Sequence, residues 1–140
     1  TQGYSGNASN DIVGADGVAH GAIRNGVFRF RPDGSAIEQV SSYGSNTWGL
    51  DFSAAGELFF TMANGAHLRQ VVVPERVLAQ GRVGGARSWT DLPDHDRVVP
   101  ISGPWRLKNE QIDFVGGFTA AAGCLLLDSP LWPESVRGDH

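Results

Sequence analysis

RPDGSAIEQV (Arg31–Val40) and NTWGLDFSAAGELFFT (Asn46–Thr61) decide how this chain folds. Each holds a tight turn between runs of alternating side chains. In the first, Pro32 presets its own backbone angle, Asp33 can accept a hydrogen bond from the backbone two residues on, and Gly34 takes a positive φ without strain. In the second, Ser53–Gly56 makes the turn, and ELFFT (Glu57–Thr61) returns. The flanks have a period of two. VFRFR (Val27–Arg31) sets Phe28 and Phe30 on one face and Arg29 and Arg31 on the other. TWGLDF (Thr47–Phe52) sets Trp48, Leu50 and Phe52 on one face, which is expected to be a core face. AIEQV (Ala36–Val40) alternates more weakly. HLRQVVV (His67–Val73) is the next candidate strand, after a break at Asn64–Gly65.

Short strands joined by short turns make an antiparallel meander. Four of them in roughly 40 residues is the length of one propeller blade. The expected fold is therefore all-β: a partial β-propeller of about one blade plus parts of its neighbours, with long loops. Residues 1–26, rich in Gly, Asn, Asp and Ser, are expected to be loop, with a turn at Ala15–Gly17. Residues 27–73 are the blade, 74–110 are loop-rich, and 111–140 start a next blade. PERVLAQG (Pro74–Gly81) reads as one helical turn, opened by Pro and closed by Gly. FTAAAGCLLLD (Phe118–Asp128) reads as one or two strands bent at Gly123. SPLWPESVRG (Ser129–Gly138) reads as a short helix capped by Ser129. A propeller closes only with at least four blades, so the chain reads as a fragment of a larger ring with exposed strand edges.

The composition narrows the function. The chain has 140 residues, 41% hydrophobic and 19% charged, which argues against disorder. Its net charge of −4 gives no footprint for nucleic acid or anionic lipid. No apolar run is long enough to span a membrane, and TQGYSGNASN at the start is not a signal peptide. The single Cys124 excludes an intrachain disulfide and sits among strand residues, which argues against a nucleophilic thiol. No C-x-x-C-H is present, so no haem attaches to this segment.

The densest polar cluster is DLPDHDR, with Asp94, His95 and Asp96 as candidate metal ligands. A solvated loop with an Asp-capped turn accounts for the same residues. His67 reads as a ligand, a base or, more simply, a hydrogen-bonded strut. His20 lies in the Gly-rich first loop near Asp16 and Arg24. Trp89, Trp105 and Trp132 lie near Pro or loop segments, where one of them could stack a sugar ring or, more ordinarily, pack between blades.

At GVFRFRPDG, NTWGLDFSAAGELFFT, LPDHDRVVP and FTAAAGCLLL with PESVRGD, the chain resembles the β-propeller domain of membrane-bound dehydrogenases of the sorbosone dehydrogenase type, relatives of soluble quinoprotein glucose dehydrogenase. The resemblance implies a periplasmic or exported protein, pyrroloquinoline quinone and calcium as cofactors, a sugar or alcohol substrate, and a cytochrome as electron acceptor. It also implies hydride transfer from substrate to quinone, with the catalytic His lying outside this chain. Asn46 matches the Asn of an Arg-Asn pair in those relatives, but Ser45 stands where the Arg belongs. MANGA (Met62–Ala66) has no carboxylate where they have an acidic, calcium-binding loop. Asn46, Asn64, His67 and Arg106 are the candidate cofactor-binding residues. The alternative is a propeller of the same shape without redox chemistry, binding carbohydrate or protein. Ser45 and the bare MANGA loop favour it.

Overall fold

A computed structural model of the chain describes residues 10–43, 46–82, 84–93, 118–119 and 121–137. Over these the protein is nearly all-β and its sheets are antiparallel, with one helical turn and one 3-10 turn. Two hairpins come first. β1 (Asn10–Val13) pairs with β2 (Ala19–Ile23), with a register shift after Ile12. β3 (Gly26–Phe30) pairs with β4 (Ile37–Ser42), setting Arg29 opposite Glu38. A four-stranded sheet follows, in the order β5 (Thr47–Phe52), β6 (Leu58–Met62), β8 (Arg69–Val71), β9 (Trp89–Asp91). The two-residue β7 (Asn64–Gly65) pairs with β10 (Phe118–Thr119). Helix α1 is Glu75–Leu78. By backbone contacts the chain forms two compact units, one of residues 1–47 and 71–90, the other of 48–70 and 91–140.

The turns form as their residues require. Asp33 Oδ1 accepts from the Ser35 backbone N–H at 3.0 Å and from its hydroxyl at 2.8 Å, and Gly34 takes φ 74°. Those two bonds hold the Asp33 carboxyl below the usual carboxylate range, the Ser35 backbone contributing most. Gly56 takes φ 81° and donates to Ser53 O. Pro74 precedes α1, and Gly81 follows it with φ 71°.

The strand frame differs from the sequence expectation in three places. Residues 10–23, expected as loop, carry the β1–β2 hairpin, closed by Val18 N–H donating to Asp16 Oδ1. The four-stranded meander spans Thr47–Asp91 rather than 27–73. β3 and β4 pair only with each other among the described strands, and β9 comes from the stretch expected to be loop-rich. Near the end, β10 is two residues long and 121–129 carries no strand. Glu134–Val136 is a 3-10 turn whose N-cap is Pro133; Ser129 Oγ instead accepts from Leu131 N–H.

In the first unit, α1 is tied to β4. Glu75 Oε1 accepts from both the backbone N–H and the hydroxyl of Ser42, and Arg76 reaches Glu38 at 3.1 Å. Glu38 also pairs with Arg29 across the hairpin. In the second unit, Phe60 and Met62 on β6 are fully buried, each contributing roughly 1.5–3 kcal/mol. Phe59, Leu68 and Leu126 form a buried cluster, with Leu92 and Cys124 packed against it.

β5 has one packed face, and it is not the expected one. Trp48, Leu50 and Phe52 are 54%, 48% and 56% exposed. The other face, with Thr47 buried and Gly49 and Asp51 half-buried, is the covered one. Alternation showed correctly that the three apolar side chains share a face; the covering segment lies on the opposite side.

Candidate functional site

That covering segment is the stretch from Ala121 to Leu126. A Cβ on Gly49 would lie 2.6 Å from Cys124 N and Gly123 C and 2.7 Å from Gly123 Cα. Only a glycine lets the two backbones approach so closely. Two residues on, Asp51 Oδ2 accepts from Leu126 N–H at 2.8 Å, and Oδ1 accepts from Phe52 N–H at 2.8 Å. The Leu126 amide is the larger of the causes that hold the Asp51 carboxyl below its ordinary range. Gly49 N–H in turn donates to Thr61 Oγ1 at 3.0 Å. Gly123 bends the segment with φ 86°. The two stretches that carry the family resemblance most specifically, NTWGLDF and FTAAAGCLLL, are thus the two that dock on each other.

Beside this junction, and wholly within the second unit, lies a cavity of about 430 Å³. Thr61, His67, Leu68, Phe118, Cys124 and Leu126 are among its lining residues. His67 Nδ1 is shut off from solvent without a hydrogen-bond partner among the described residues. Its ring packs on Phe118 at 5.0 Å. The Cys124 thiol is pushed above its ordinary range, first by burial and then by the nearby Asp51 carboxylate. A thiol so held stays protonated at neutral pH and is a poor nucleophile.

Of the other candidates named from sequence, the described ones do not line this cavity. Asn46 is half-buried at the start of β5 and does not line the cavity. Asn64 pairs its backbone with Thr119 in β7. Asp94, His95, Asp96 and Arg106 lie outside the described residues. Of the described candidates, His67 lines this cavity, and its Nδ1 has no partner among the described residues.

These residues do not fit the implied cofactors. Pyrroloquinoline quinone carries several carboxylates and needs cations. Among the described residues, the cavity at His67 is lined by Ala, Leu, Phe, Gly, Thr and Cys besides the imidazole, with no Lys or Arg. The nearest buried guanidinium by sequence, Arg69, is committed to Asp91 at 2.7 Å. Among the described residues no cluster of His, Cys, Asp and Glu has the proximity to hold a metal ion.

Sequence reasoning missed a second concave site, in the first unit. A cleft of about 510 Å³ is lined by Arg24, Tyr43, Glu75, Leu78, Arg87 and Trp89, together with Ser42, Ala86 and Ser88. Tyr43 meets Trp89 edge-on at 4.9 Å. The Arg87 guanidinium lies over the indole at 5.1 Å. Ser88 is buried and shares a hydrogen bond with Ser41 at 2.7 Å. Trp89 carried a signal, as an aromatic among loop residues. Arg24, Glu75 and Arg87 come from three distant segments and carried none.

An all-β domain of antiparallel meanders, with its concave sites on sheet-flanking loops, is the class of protein these features define. The chain belongs to the family described as a domain of unknown function (DUF7133), whose model matches residues 1–140. No curated protein and no solved structure matches it.

Proposed function

We propose that this chain is a segment of a propeller-type oxidoreductase acting on a sugar or related alcohol. In this reading it supplies scaffold and substrate-facing surface, while the quinone, the metal and the catalytic base are held by residues outside those described. The observation that carries it is the junction of Gly49 and Asp51 with Gly123–Leu126. The motifs resembling the sorbosone dehydrogenase group act as one interlocked folding element, as a shared scaffold requires. The reading brings with it an exported location and a cytochrome as electron acceptor. A fold is only a platform for function, so the assignment rests on the motifs rather than on sheet architecture.

A second reading has its own support. Where cations are expected for a quinone, Ser45 stands in the sequence, and the described residues that line the cavity at His67 include no Lys or Arg. A propeller binding module without redox chemistry accounts for both.

One experiment separates the two. The full-length parent protein is incubated with calcium and pyrroloquinoline quinone, then supplied with aldoses and a reducible dye. The oxidoreductase reading expects a change in quinone absorbance on binding and sugar-dependent dye reduction. Sugar binding with neither of these signals would establish the binding module and remove the enzyme.

A further inference from the structure

We propose that the Arg24–Arg87–Trp89 cleft binds a small hydroxylated carboxylate: a sugar acid, free or as a uronate unit of a glycan. This proposal stands whether or not the protein carries a redox group.

The argument starts from charge. The chain is acidic, with 15 Asp and Glu against 11 Lys and Arg, so a basic side chain has carboxylates available to it. Arg29 and Arg76 share Glu38, and Arg69 takes Asp91. Arg24 and Arg87 both line the cleft, and neither forms an ion pair with a carboxylate among the described residues. Glu75 lines the same cleft, yet its Oε1 is spent on the Ser42 amide and hydroxyl. Among its described lining residues the cleft therefore holds two guanidiniums against one carboxylate, an excess of one positive charge.

Arg87 is also held by an aromatic ring. Its guanidinium carbon lies over the Trp89 indole at 5.1 Å. A cation–π contact of this kind restrains the side chain, and its N–H donors remain able to meet a carboxylate. The platform is itself braced, because Tyr43 abuts Trp89 edge-on. On the other side, Arg24 is fixed at its backbone, whose N–H donates to Gln39 Oε1 at 2.8 Å.

The remaining surface sets the rest of the ligand. Tyr43, Leu78 and Ala86 offer apolar patches to C–H groups, and Glu75 offers a carboxylate edge to hydroxyls. A carboxylate in the cleft also disfavours a dianion such as a phosphate ester more than it disfavours a single carboxylate. A volume of about 510 Å³ suits one sugar-sized ring.

The test is titration of the full chain with sodium D-glucuronate, D-glucose, glucose 6-phosphate and a galacturonate trimer, read by tryptophan fluorescence and calorimetry. Glucuronate is expected to bind about tenfold or more tighter than glucose, which lacks the charge-assisted contacts. Arg87→Gln and Arg24→Gln are each expected to weaken glucuronate by about tenfold while leaving glucose unchanged. Arg87→Lys keeps the charge and loses the guanidinium, so it recovers only part of the loss. A trimer that binds tighter than the monomer assigns the carboxylate to a glycan; a trimer that does not bind assigns it to the free acid. Equal affinity for glucose and glucuronate, or tighter binding of the phosphate ester, overturns the proposal. If a variant fails to melt cooperatively, the wild-type ranking of the ligands decides alone.

Discussion

Replacing Gly49 by alanine tests whether the β5 junction holds the second unit together. Gly49 lies in strand β5 and is not one of the positive-φ glycines, so its backbone accepts alanine. On the unfolded side the change favours stability by about 0.4–1 kcal/mol, because alanine has less freedom to lose. On the folded side the added methyl meets backbone atoms of Gly123 and Cys124 at 2.6–2.7 Å, about 1 Å inside ordinary carbon contact. No side chain can swing away, because the colliding atoms are main chain. Overpacking of this kind costs about 1–3 kcal/mol, and the upper end applies where only backbone can yield. The net loss is about 2 kcal/mol. For a chain of this length that lowers the melting midpoint by about 8 °C. The loss is local in origin, so amide exchange at Leu126, whose N–H donates to Asp51, should rise more than exchange in β3 or β4. Gly56→Ala is the control. Its methyl has open space but sits at φ +81°, so it costs roughly 1–2 kcal/mol through strain alone without releasing Leu126. A Gly49→Ala protein that melts at or above the wild-type midpoint, with Leu126 still protected, would refute the close docking of these two segments.

Four further outcomes follow from the same structure. Asp91→Ala leaves the buried Arg69 guanidinium without its 2.7 Å ion partner and is expected to destabilise by about 2 kcal/mol in urea melts, whereas the exposed pair Arg29–Glu38 can be broken for under about 1 kcal/mol. Asp33 and Asp51 both have lowered carboxyl pKa values in the fold, so the stability they add is present above their ordinary value of 3.8 and disappears as pH falls below it; thermal melts of Asp51→Asn should show a weaker acid dependence than wild type. Cys124, with its thiol pushed up by burial, should react with Ellman's reagent at pH 8 far more slowly in the native chain than in urea, and equal rates would refute its packing against the core. Trp48→Thr with Phe52→Thr removes two half-exposed members of the apolar stripe and is expected to cost less than about 1 kcal/mol in urea melts, and a larger loss would refute the exposure of this face.

The turns were legible because each depends on one or two residues. Asp33 and Gly34 make their bend by local hydrogen bonding and positive φ, and nothing distant can change that. The strand frame was not, because an alternating run states that side chains share a face and says nothing about which neighbour it pairs with. VFRF and TWGLDF look equivalent on that measure, yet β3 stays in a two-stranded hairpin and β5 opens a four-stranded sheet. β1, β2 and β9 escaped for a different reason. NDIV and AHGAI carry little apolar alternation because most of their side chains face solvent, and WTD is too short to show a period. The exposed stripe on β5 follows the same logic: burial of its opposite face depends on Gly123 and Cys124, more than seventy residues away in sequence.

The site divides along the line between local and convergent chemistry. His67 could be named from sequence because an imidazole beside a turn stands out by itself, and it does line a cavity. What surrounds it among the described residues is an apolar wall from the 121–126 segment, and that wall reads as a strand in the sequence pattern. The cleft in the first unit is the extreme case. Arg24 follows a hairpin strand, Glu75 opens α1, and Arg87 precedes β9. None belongs to a motif, and each alone is an ordinary surface charge. Their meaning comes from the ties that gather them: the Ser42 contacts hold Glu75 against β4, Gln39 fixes the Arg24 backbone, and Arg87 lies over the Trp89 indole. On the proposed assignment, the motifs that resemble a dehydrogenase build the frame, while recognition falls to residues that no motif contains. A family member could keep NTWGLDF and FTAAAGCLLL intact and change its ligand by altering Arg24, Arg87 or Trp89 alone.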